Sequence, residues 1–282
     1  MQLIFNGDDF GLTQGINHGI IQAFKKGILS STSLVATGEA FEDAVSLAKE
    51  NPGLDVGIHL VLCDEAPLIR SGRLAHGSTF PSRNRVLAAI LCGRTPYEDV
   101  EAEWRAQVQT GIDAGLSISH LDGHQFIHLF PGLFPVCLRV AAFYRIPFVR
   151  TSLLDLIHWG TGTRRLVQWA LLNTWISLYV APRIPRGMPK IPSMGFLEAG
   201  GRLEGTTILR AVDRVNEKGT CETVEVMVHP ATGDPHTASK YRDWHYHWEA
   251  DLHLLLDASL KRGLDARGIR VTSYRQLLGD AP

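Results

Sequence analysis

The stretch QLIFNGDDFGLTQGINHGIIQAFKK, residues 2–26, decides the fold. It opens with the apolar segment 3–5, which predicts a short buried strand. It closes with apolar residues spaced three and four apart over 14–26, which predict a helix that stops at Gly27. The same alternation recurs, and we predict about seven mostly parallel strands, at 3–5, 34–36, 56–62, 118–121, 147–150, 224–228 and 270–272. This order is typical of α/β proteins with a parallel sheet.

Two segments interrupt the alternation of strands and helices. Residues 64–94 are rich in Gly and Arg, and residues 151–202 include a long run without charge. Both segments are long enough to be functional insertions or lids. Because α/β barrels routinely use about 200–250 residues as one domain, we predict a single domain over residues 1–282 that carries these two insertions.

The composition excludes several classes of protein. The chain is 45% hydrophobic and 20% charged, which is ordinary for a globular protein, and its net charge of −1 gives no general attraction to nucleic acid. The four cysteines lie far apart, so we expect neither a disulfide framework nor a cysteine zinc site. The first residues, MQLIFNGDDFG, do not resemble a signal peptide. We therefore expect a cytoplasmic protein.

Positive charge is concentrated in residues 123–197. This segment holds eight Lys or Arg and one acid, a local net charge of +7. Within it, residues 166–182 form a run of 17 residues without charge, shorter than the roughly 20 that a membrane-spanning helix needs. Basic residues flank the run, so residues 164–186 are predicted to touch an anionic membrane surface. The alternative is a buried helix with solvated ends.

Polar residues that can bind a metal gather at the carboxyl ends of the predicted strands. Parallel α/β proteins bind ligands at that edge of the sheet. An isolated aspartate there is more often a helix cap, and an isolated histidine is more often a satisfied core residue. Five strands that deliver such residues to one edge favour an active site, and the residues are Asp8, Asp9, His59, His120, Asp122, His124, His128, Arg150 and His229.

The types of these residues point to a divalent metal site. Three histidines and one aspartate fall within residues 120–128, and this mixture suits Zn²⁺, Co²⁺, Ni²⁺ or Mn²⁺ better than the all-oxygen shell that Mg²⁺ prefers. Adjacent Asp8 and Asp9 point in different directions, so one can bind the metal while the other acts on water. Arg150 needs a carboxylate partner if it is buried, and Asp8 is the candidate.

Four motifs occur in order along the chain: NGDDFG (6–11), GIHLVL (57–62), HLDGHQFIH (120–128) and VMVHP (226–230). With these motifs, the sequence resembles the YdjC-like carbohydrate deacetylases over most of its length. The resemblance implies a distorted (β/α) barrel and a metal-dependent hydrolase that removes the acetyl group from an N-acetylated amino sugar. Some members of that family are associated with hopanoid synthesis, so the sugar is expected on an oligosaccharide or on a lipid.

The resemblance also implies roles for individual residues. The ligands of one divalent ion, Zn²⁺ or Mg²⁺, would be Asp9, His59 and His124. The catalytic residues would be Asp8 as base, Arg150 as its support and His229 as acid. The predicted substrate contacts are Asp122, Phe126, His128 and Arg242. Phe126 departs from the family pattern, which often has a histidine at this position, so the sugar contact there is expected to differ.

Two other functions remain open from the residues. The same edge could serve a metal-dependent phosphoesterase with Arg150 on the phosphate, although two-metal sites usually need more bridging carboxylates. It could also belong to an inactive barrel that binds a glycan or a lipid, with Phe126 as the sign of lost activity. As partners we expect the sugar, the inner membrane surface and a second copy of the chain in a homodimer.

Overall fold

Nine strands and eleven helices form the part of the chain that the structure describes. The structure is a computed structural model, and it describes residues 1–70, 73–74, 78–154, 162–198, 200–219 and 221–279. The strands are β1 (Gln2–Phe10), β2 (Ser31–Leu34), β3 (Asp55–Leu60), β4 (Ile118–Gly123), β5 (Phe148–Val149), β6 (Ser152–Leu153), β7 (Pro192–Met194), β8 (Thr223–Val228) and β9 (Arg270–Val271). The helices are α1 (Gln14–Lys26), α2 (Phe41–Glu50), α3 (Arg83–Leu91), α4 (Tyr97–Asp113), α5 (Leu133–Tyr144), α6 (Thr163–Trp175), α7 (Gly205–Lys218), α8 (Pro235–Lys240), α9 (Trp248–Leu256), α10 (Ala258–Asp265) and α11 (Tyr274–Leu277).

The strands pair in parallel in one sheet. Their order is β5-β4-β3-β2-β1-β8-β7-β6, and β9 pairs with β1. The outermost strands β5 and β6 are consecutive in the chain, and only Arg150 and Thr151 separate them. The sheet therefore has to curl until its two edges approach each other. The prediction of a distorted (β/α) barrel in a single domain is confirmed.

The interior of the barrel is polar, and the main apolar core lies between the sheet and the helices. In β8, alternation places three valines on one face and Glu225 and Met227 on the other. Glu225 contacts Arg150, which lies between the two sheet edges, so this second face is the interior. Ser33 of β2 reaches Asp122 of β4 in the same interior. Buried polar groups therefore meet across the barrel.

A small second core closes part of the interior. It consists of Ile4, Phe148, Ile191 and Tyr274. The ring of Tyr274 stacks on the ring of His120, with 4.1 Å between the centroids. Gly57 makes room for this imidazole, because a Cβ at that position would lie 2.4 Å from it. The polar residues nearer the carboxyl ends of the strands are thus left to line a cavity.

Three elements differ from the sequence predictions. β1 runs to Phe10, so the aspartate pair belongs to the strand and not to a turn after it. The sequence pattern predicts one helix over 248–262, but the chain forms two there, because Asp257 is extended and its side chain accepts a hydrogen bond from the backbone N–H of Ser259 as an N-cap. Segment 151–202, predicted as an insertion, supplies β6 and β7 to the sheet. Of the two predicted insertions, residues 71–72, 75–77, 155–161 and 199 lie outside the described residues.

Most of the uncharged run lies on the surface, although Ile176 and Val180 within it are buried. It occupies most of α6 and continues as a π turn (Ile176–Val180) and a 3-10 turn (Ala181–Arg183). No residue of α6 is fully buried, which removes the alternative of a buried helix for this element. Among the helices of the described residues, none combines the length and the apolar character that crossing a membrane requires.

Candidate active site and metal centre

A bulge in β1 presents the two adjacent aspartates. The register between β1 and β2 shifts between Gly7 and Phe10. Asp9 has a φ of 71°, in the left-handed region that few residues other than glycine adopt. Regular alternation would send Asp8 and Asp9 to opposite faces, but with the bulge both line one cavity at the carboxyl end of the sheet. The strained backbone thus coincides with the candidate site.

Asp9, His59 and His124 form the candidate metal centre. Their ligand atoms lie within 4.8 Å of one another, and all three residues are buried. Oδ1 of Asp9 lies 3.1 Å from Nδ1 of His124 and 3.4 Å from Nε2 of His59. The structure thus brings together the three residues that were predicted as ligands from three separate parts of the chain.

Asp122 fixes the orientation of His59. One oxygen of Asp122 lies 2.8 Å from Nδ1 of His59, and the other accepts a hydrogen bond of 2.7 Å from the hydroxyl of Ser33. The remaining ring nitrogen of His59 is thereby directed at Asp9. Metal-binding histidines almost always have such a partner on their second nitrogen. Asp122 is fully buried and does not line the cavity, so its position favours this orienting role over the predicted substrate contact.

The electrostatics of the three residues fit a cation. Burial raises the pKa of Asp9, but the hydrogen bond with His124 and the charges of His124 and His59 outweigh it and lower this pKa to about 2. Burial lowers the pKa of His59, but Asp122, Asp8 and Asp9 raise it to about 9. The ionised carboxylate of Asp9 therefore lies beside the imidazole of His59, and the carboxylates around His59 favour a positive charge there. Two imidazoles and one carboxylate are a suitable donor set for a divalent transition metal.

In a second group of potential ligands, both carboxylates already pair with Arg150. This group consists of Asp8, His59 and Asp122. Nη1 and Nη2 of Arg150 donate to the two oxygens of Asp8 at 2.7 and 2.8 Å, which confirms the predicted pairing of these residues. Nη2 also lies 2.8 Å from Asp122. The site centred on Asp9 is therefore the better candidate for the metal.

A third carboxylate, Glu225, holds the other edge of the Arg150 guanidinium. Nε of Arg150 donates to Glu225 at 3.0 Å, and the hydroxyl of Tyr274 hydrogen-bonds to the same carboxyl group. Burial lowers the pKa of Arg150, but the charges of Asp122, Asp8 and Glu225 outweigh it and raise this pKa well above its usual value. Arg150 is thus a permanently charged group that is fixed from three sides.

His229 follows β8 and lines the same cavity. Its backbone N–H donates a hydrogen bond of 2.9 Å to Asp251, and its ring packs against Tyr246 with 5.0 Å between the centroids. Within the described parts of the chain, Nδ1 of His229 has no hydrogen-bond partner, and a carboxylate oxygen of Asp251 lies 3.9 Å from it. Burial raises the pKa of Asp251. His229 therefore lines the cavity with its buried Nδ1 on the side of Asp251.

The turn after β4 gives its two histidines different surroundings. In the 3-10 turn His124–Leu129, Gln125 and Phe126 have φ values of 51° and 58°, so the segment is not a regular helix with both histidines on one face. His124 reaches Asp9, whereas His128 is fully buried with Nε2 2.8 Å from the carbonyl oxygen of Arg150. Burial lowers the pKa of His128 to about 4. His128 is thus placed beneath the cavity, where it supports the backbone of Arg150.

The cavity has a volume of about 310 Å³. The predicted site residues that line it are Asp8, Asp9, His59, His124, Phe126 and His229. Arg242 is exposed and is not part of the lining, so its predicted substrate contact has no support from its position. The lining residues that were not predicted from the sequence include Arg83, Phe196, Trp244 and Tyr246. The aromatic richness of residues 241–248 is the only sequence signal for the last two.

Comparisons with known proteins identify the family of this chain. The sequence profile of the family described as YdjC-like protein matches residues 2–266. A carbohydrate deacetylase of Brevibacillus brevis is 32% identical to this chain, and the match covers 98% of this chain and 100% of the relative. A carbohydrate deacetylase of Geobacillus stearothermophilus is also 32% identical, and the match covers 97% of this chain and 96% of the relative. A crystal structure of an Enterococcus faecalis protein named for cellobiose-phosphate cleavage has a TM-score of 0.72, at 24% identity over 98% of each chain, and thus shares the fold. The chain belongs to the YdjC-like protein family.

Proposed function

We propose that this protein is a metal-dependent hydrolase that removes the acetyl group from an N-acetylated amino sugar, carried on an oligosaccharide or on a lipid. One observation carries the proposal. The donor set of Asp9, His59 and His124 lines the same cavity as two further proton-carrying side chains, Asp8 and His229. Amide hydrolysis needs both a base for the water and an acid for the amine. The relatives named carbohydrate deacetylase support the choice of reaction.

Asp9, His59 and His124 would hold one divalent ion, Zn²⁺ or Mg²⁺. When bound, such an ion polarises the acetyl carbonyl and lowers the pKa of water. The protein contributes the orientation of its ligands. Asp122 accepts a hydrogen bond from one nitrogen of His59 and leaves the other directed at Asp9.

Asp8 would take the proton from the attacking water. Arg150 donates to both of its oxygens, and the side-chain amide of Asn6 donates to Oδ1 at 2.8 Å. Carboxylate oxygens have about four lone-pair sites between them, so Asp8 can still accept a proton. Because Glu225 fixes Arg150 in turn, the carboxylate keeps its orientation during the reaction.

His229 would give a proton to the departing amine, since it lines the cavity and its Nδ1 lies on the side of Asp251, away from the substrate. The sugar would pack against the aromatic side chains of the same cavity. Trp244 lies with its ring centroid 5.0 Å from that of His124, and Tyr246 lies beside His229. Aromatic rings suit the C–H faces of a sugar because they bury apolar surface without requiring a hydrogen bond.

Acetate release tests the proposal. The protein is freed of metal with a chelator, reloaded with Zn²⁺ or Mg²⁺, and incubated with N-acetylglucosamine and its oligomers. We expect acetate from the reloaded protein and none from the metal-free form. Release of phosphate from sugar phosphates without release of acetate would favour the phosphoesterase. Binding of glycans without either product would favour the inactive barrel.

The proposal extends to the location of the enzyme. We propose a cytoplasmic protein that touches the anionic surface of the inner membrane through residues 164–186. Leu171 and Leu178 are exposed there, and Arg164, Arg183 and Arg186 are exposed near them. Co-sedimentation with anionic vesicles should be lost when these arginines and Arg165 are changed to serine, and unchanged binding would contradict membrane contact. A homodimer stays a prediction from the sequence.

A further inference from the structure

We propose that an apolar groove beside the catalytic cavity binds an apolar group attached to the amino sugar, so that the substrate is a glycolipid and not a free oligosaccharide. The inference rests on the proposed deacetylase function. It assigns a second binding site to the same substrate, at a place where no part of the reaction occurs.

The groove and the catalytic cavity adjoin each other. Arg83, Gln125, Phe126 and Phe196 line both of them. The rings of Phe126 and Phe196 meet edge to face, with 5.4 Å between their centroids, at the boundary. A group attached to a sugar in the cavity would therefore reach the groove by passing over two apolar rings.

The walls of the groove suit hydrocarbon better than sugar. Its volume is about 540 Å³, larger than the catalytic cavity and ordinary for a ligand site. Apart from the shared residues, the wall includes Leu87, Phe130, Leu171, Leu172 and Trp175, with Asn84, Arg165 and Gln168 as its polar members.

Trp175 offers the groove apolar surface but no hydrogen bond. Its indole N–H already donates to the carbonyl of Leu129 at 2.7 Å, and its ring stacks on Tyr179 with 4.2 Å between the centroids. A sugar needs partners for its hydroxyl groups when it leaves water. A hydrocarbon chain needs none, and the aliphatic side chains of Leu171 and Leu172 extend the apolar surface of Trp175 along the same groove.

The exposed apolar side chains of the groove also favour a hydrocarbon chain over a sugar. Leu171 exposes 67% of its surface, and α6, which carries it, has no fully buried residue. Grouped apolar side chains that remain exposed mark binding sites in soluble proteins. An alkyl chain along Leu171 and Leu172 would remove this surface from water. Of the possible occupants, the tail of a substrate is the one whose path continues from the catalytic cavity.

Binding of paired glycosides tests the inference independently of catalysis. The probes are the methyl and octyl β-glycosides of N-acetylglucosamine, the octyl compound below its micelle concentration, and N,N′-diacetylchitobiose as the oligosaccharide. Calorimetry on the folded protein measures each Kd, and acetate release is measured in parallel. We expect a Kd for the octyl glycoside about tenfold below that of the methyl glycoside, after the cost of ordering the chain. Equal Kd values, or tighter binding of the disaccharide than of the octyl glycoside, would overturn the inference.

A matched pair of variants tests whether the octyl chain binds in the groove. Leu171→Asp places a charge in the groove, whereas Leu178→Asp changes a residue on the same surface segment that is 75% exposed and does not line the groove. Leu171→Asp should bring the Kd of the octyl glycoside to that of the methyl glycoside, and Leu178→Asp should keep the tenfold difference. Equal effects of the two changes would contradict a groove site. If all the glycosides release acetate but bind with equal Kd values, the groove inference is wrong and the proposed function stands. If the octyl glycoside binds tenfold more tightly than the methyl glycoside but no acetate is released, the proposed function is wrong and the groove inference stands.

Discussion

The guanidinium of Arg150 donates two hydrogen bonds, of 2.7 and 2.8 Å, to the carboxylate of Asp8 inside the barrel. The two residues are 142 positions apart in the sequence. The same guanidinium faces Asp122, which orients His59, and Glu225, which comes from β8. One buried cation therefore connects the candidate base with the support of the candidate metal centre.

Two substitutions of Arg150 should distinguish the effect of its positive charge from the effect of its two parallel hydrogen-bond donors. Arg150→Met leaves buried carboxylates without a counter-charge, so we expect a loss of about 3–5 kcal/mol in the free energy of unfolding. Arg150→Lys keeps the charge but cannot hold Asp8 with two parallel donors. The lysine variant should be the more stable of the two, with kcat lowered about ten- to hundredfold. Urea unfolding and acetate release check both statements, and a lysine variant with wild-type kcat would contradict them.

Glu225 should act on the reaction through Arg150 alone. Glu225→Gln weakens the hold on Nε of Arg150, and we expect kcat to fall about tenfold because Asp8 is less well oriented. KM and metal content should remain at their wild-type values, since Glu225 does not line the cavity. The exposed Glu222→Gln is the matched control, with no change expected. A rise in KM with unchanged kcat would show that Glu225 acts on substrate binding instead.

The metal-free protein should lose stability as the pH rises. The folded state raises the pKa of His59 from 6.5 to about 9. Because the folded state binds this proton more tightly than the unfolded state, the stabilisation is present below pH 6.5 and is lost as the pH rises through 9. The loss should be roughly 3 kcal/mol at most. Urea unfolding with a chelator present measures it, and the same slope in His59→Gln would assign the effect to other groups.

Trp244 and Arg242 are close in sequence but should differ in their effect on the substrate. Trp244 lines the cavity, whereas Arg242 is exposed outside the lining. Trp244→Ala should raise KM about tenfold, the equivalent of about 1.4 kcal/mol of lost contact. Arg242→Ala should leave KM within twofold. Steady-state acetate release gives both values, and the opposite order would restore Arg242 as a substrate contact.

The order of the elements and the edge that carries the site could be predicted from the sequence, because both depend on local patterns. The bulge at Asp8 and Asp9 could not, since a bulge is defined by the register with β2. Alternation predicts a shared face of β4 for His120 and Asp122, but not the depth of Asp122. Asp122 supports His59 beneath the cavity, and His128 supports Arg150 from the turn after β4.

The sequence around Glu225 indicates that this acid has a buried partner. It is an acid within the apolar strand VEVMV, on the same alternating face as His229. An acid at a buried strand position requires a buried partner. That partner, Arg150, is 75 residues away, and only the closure of the barrel brings the two together. Contacts of this kind depend on the curvature of the sheet, which the sequence pattern does not specify.

Metal content and acetate release, measured on the same samples of the wild type, Asp8→Asn and His124→Ala, test most directly whether Asp9, His59 and His124 bind the ion on which Asp8 acts. We predict one divalent ion per chain and acetate release for the wild type. Asp8→Asn should keep the ion and release no acetate, and His124→Ala should lose most of the ion together with the activity. Full metal content in His124→Ala, or acetate release at the wild-type rate by Asp8→Asn, would contradict these assignments.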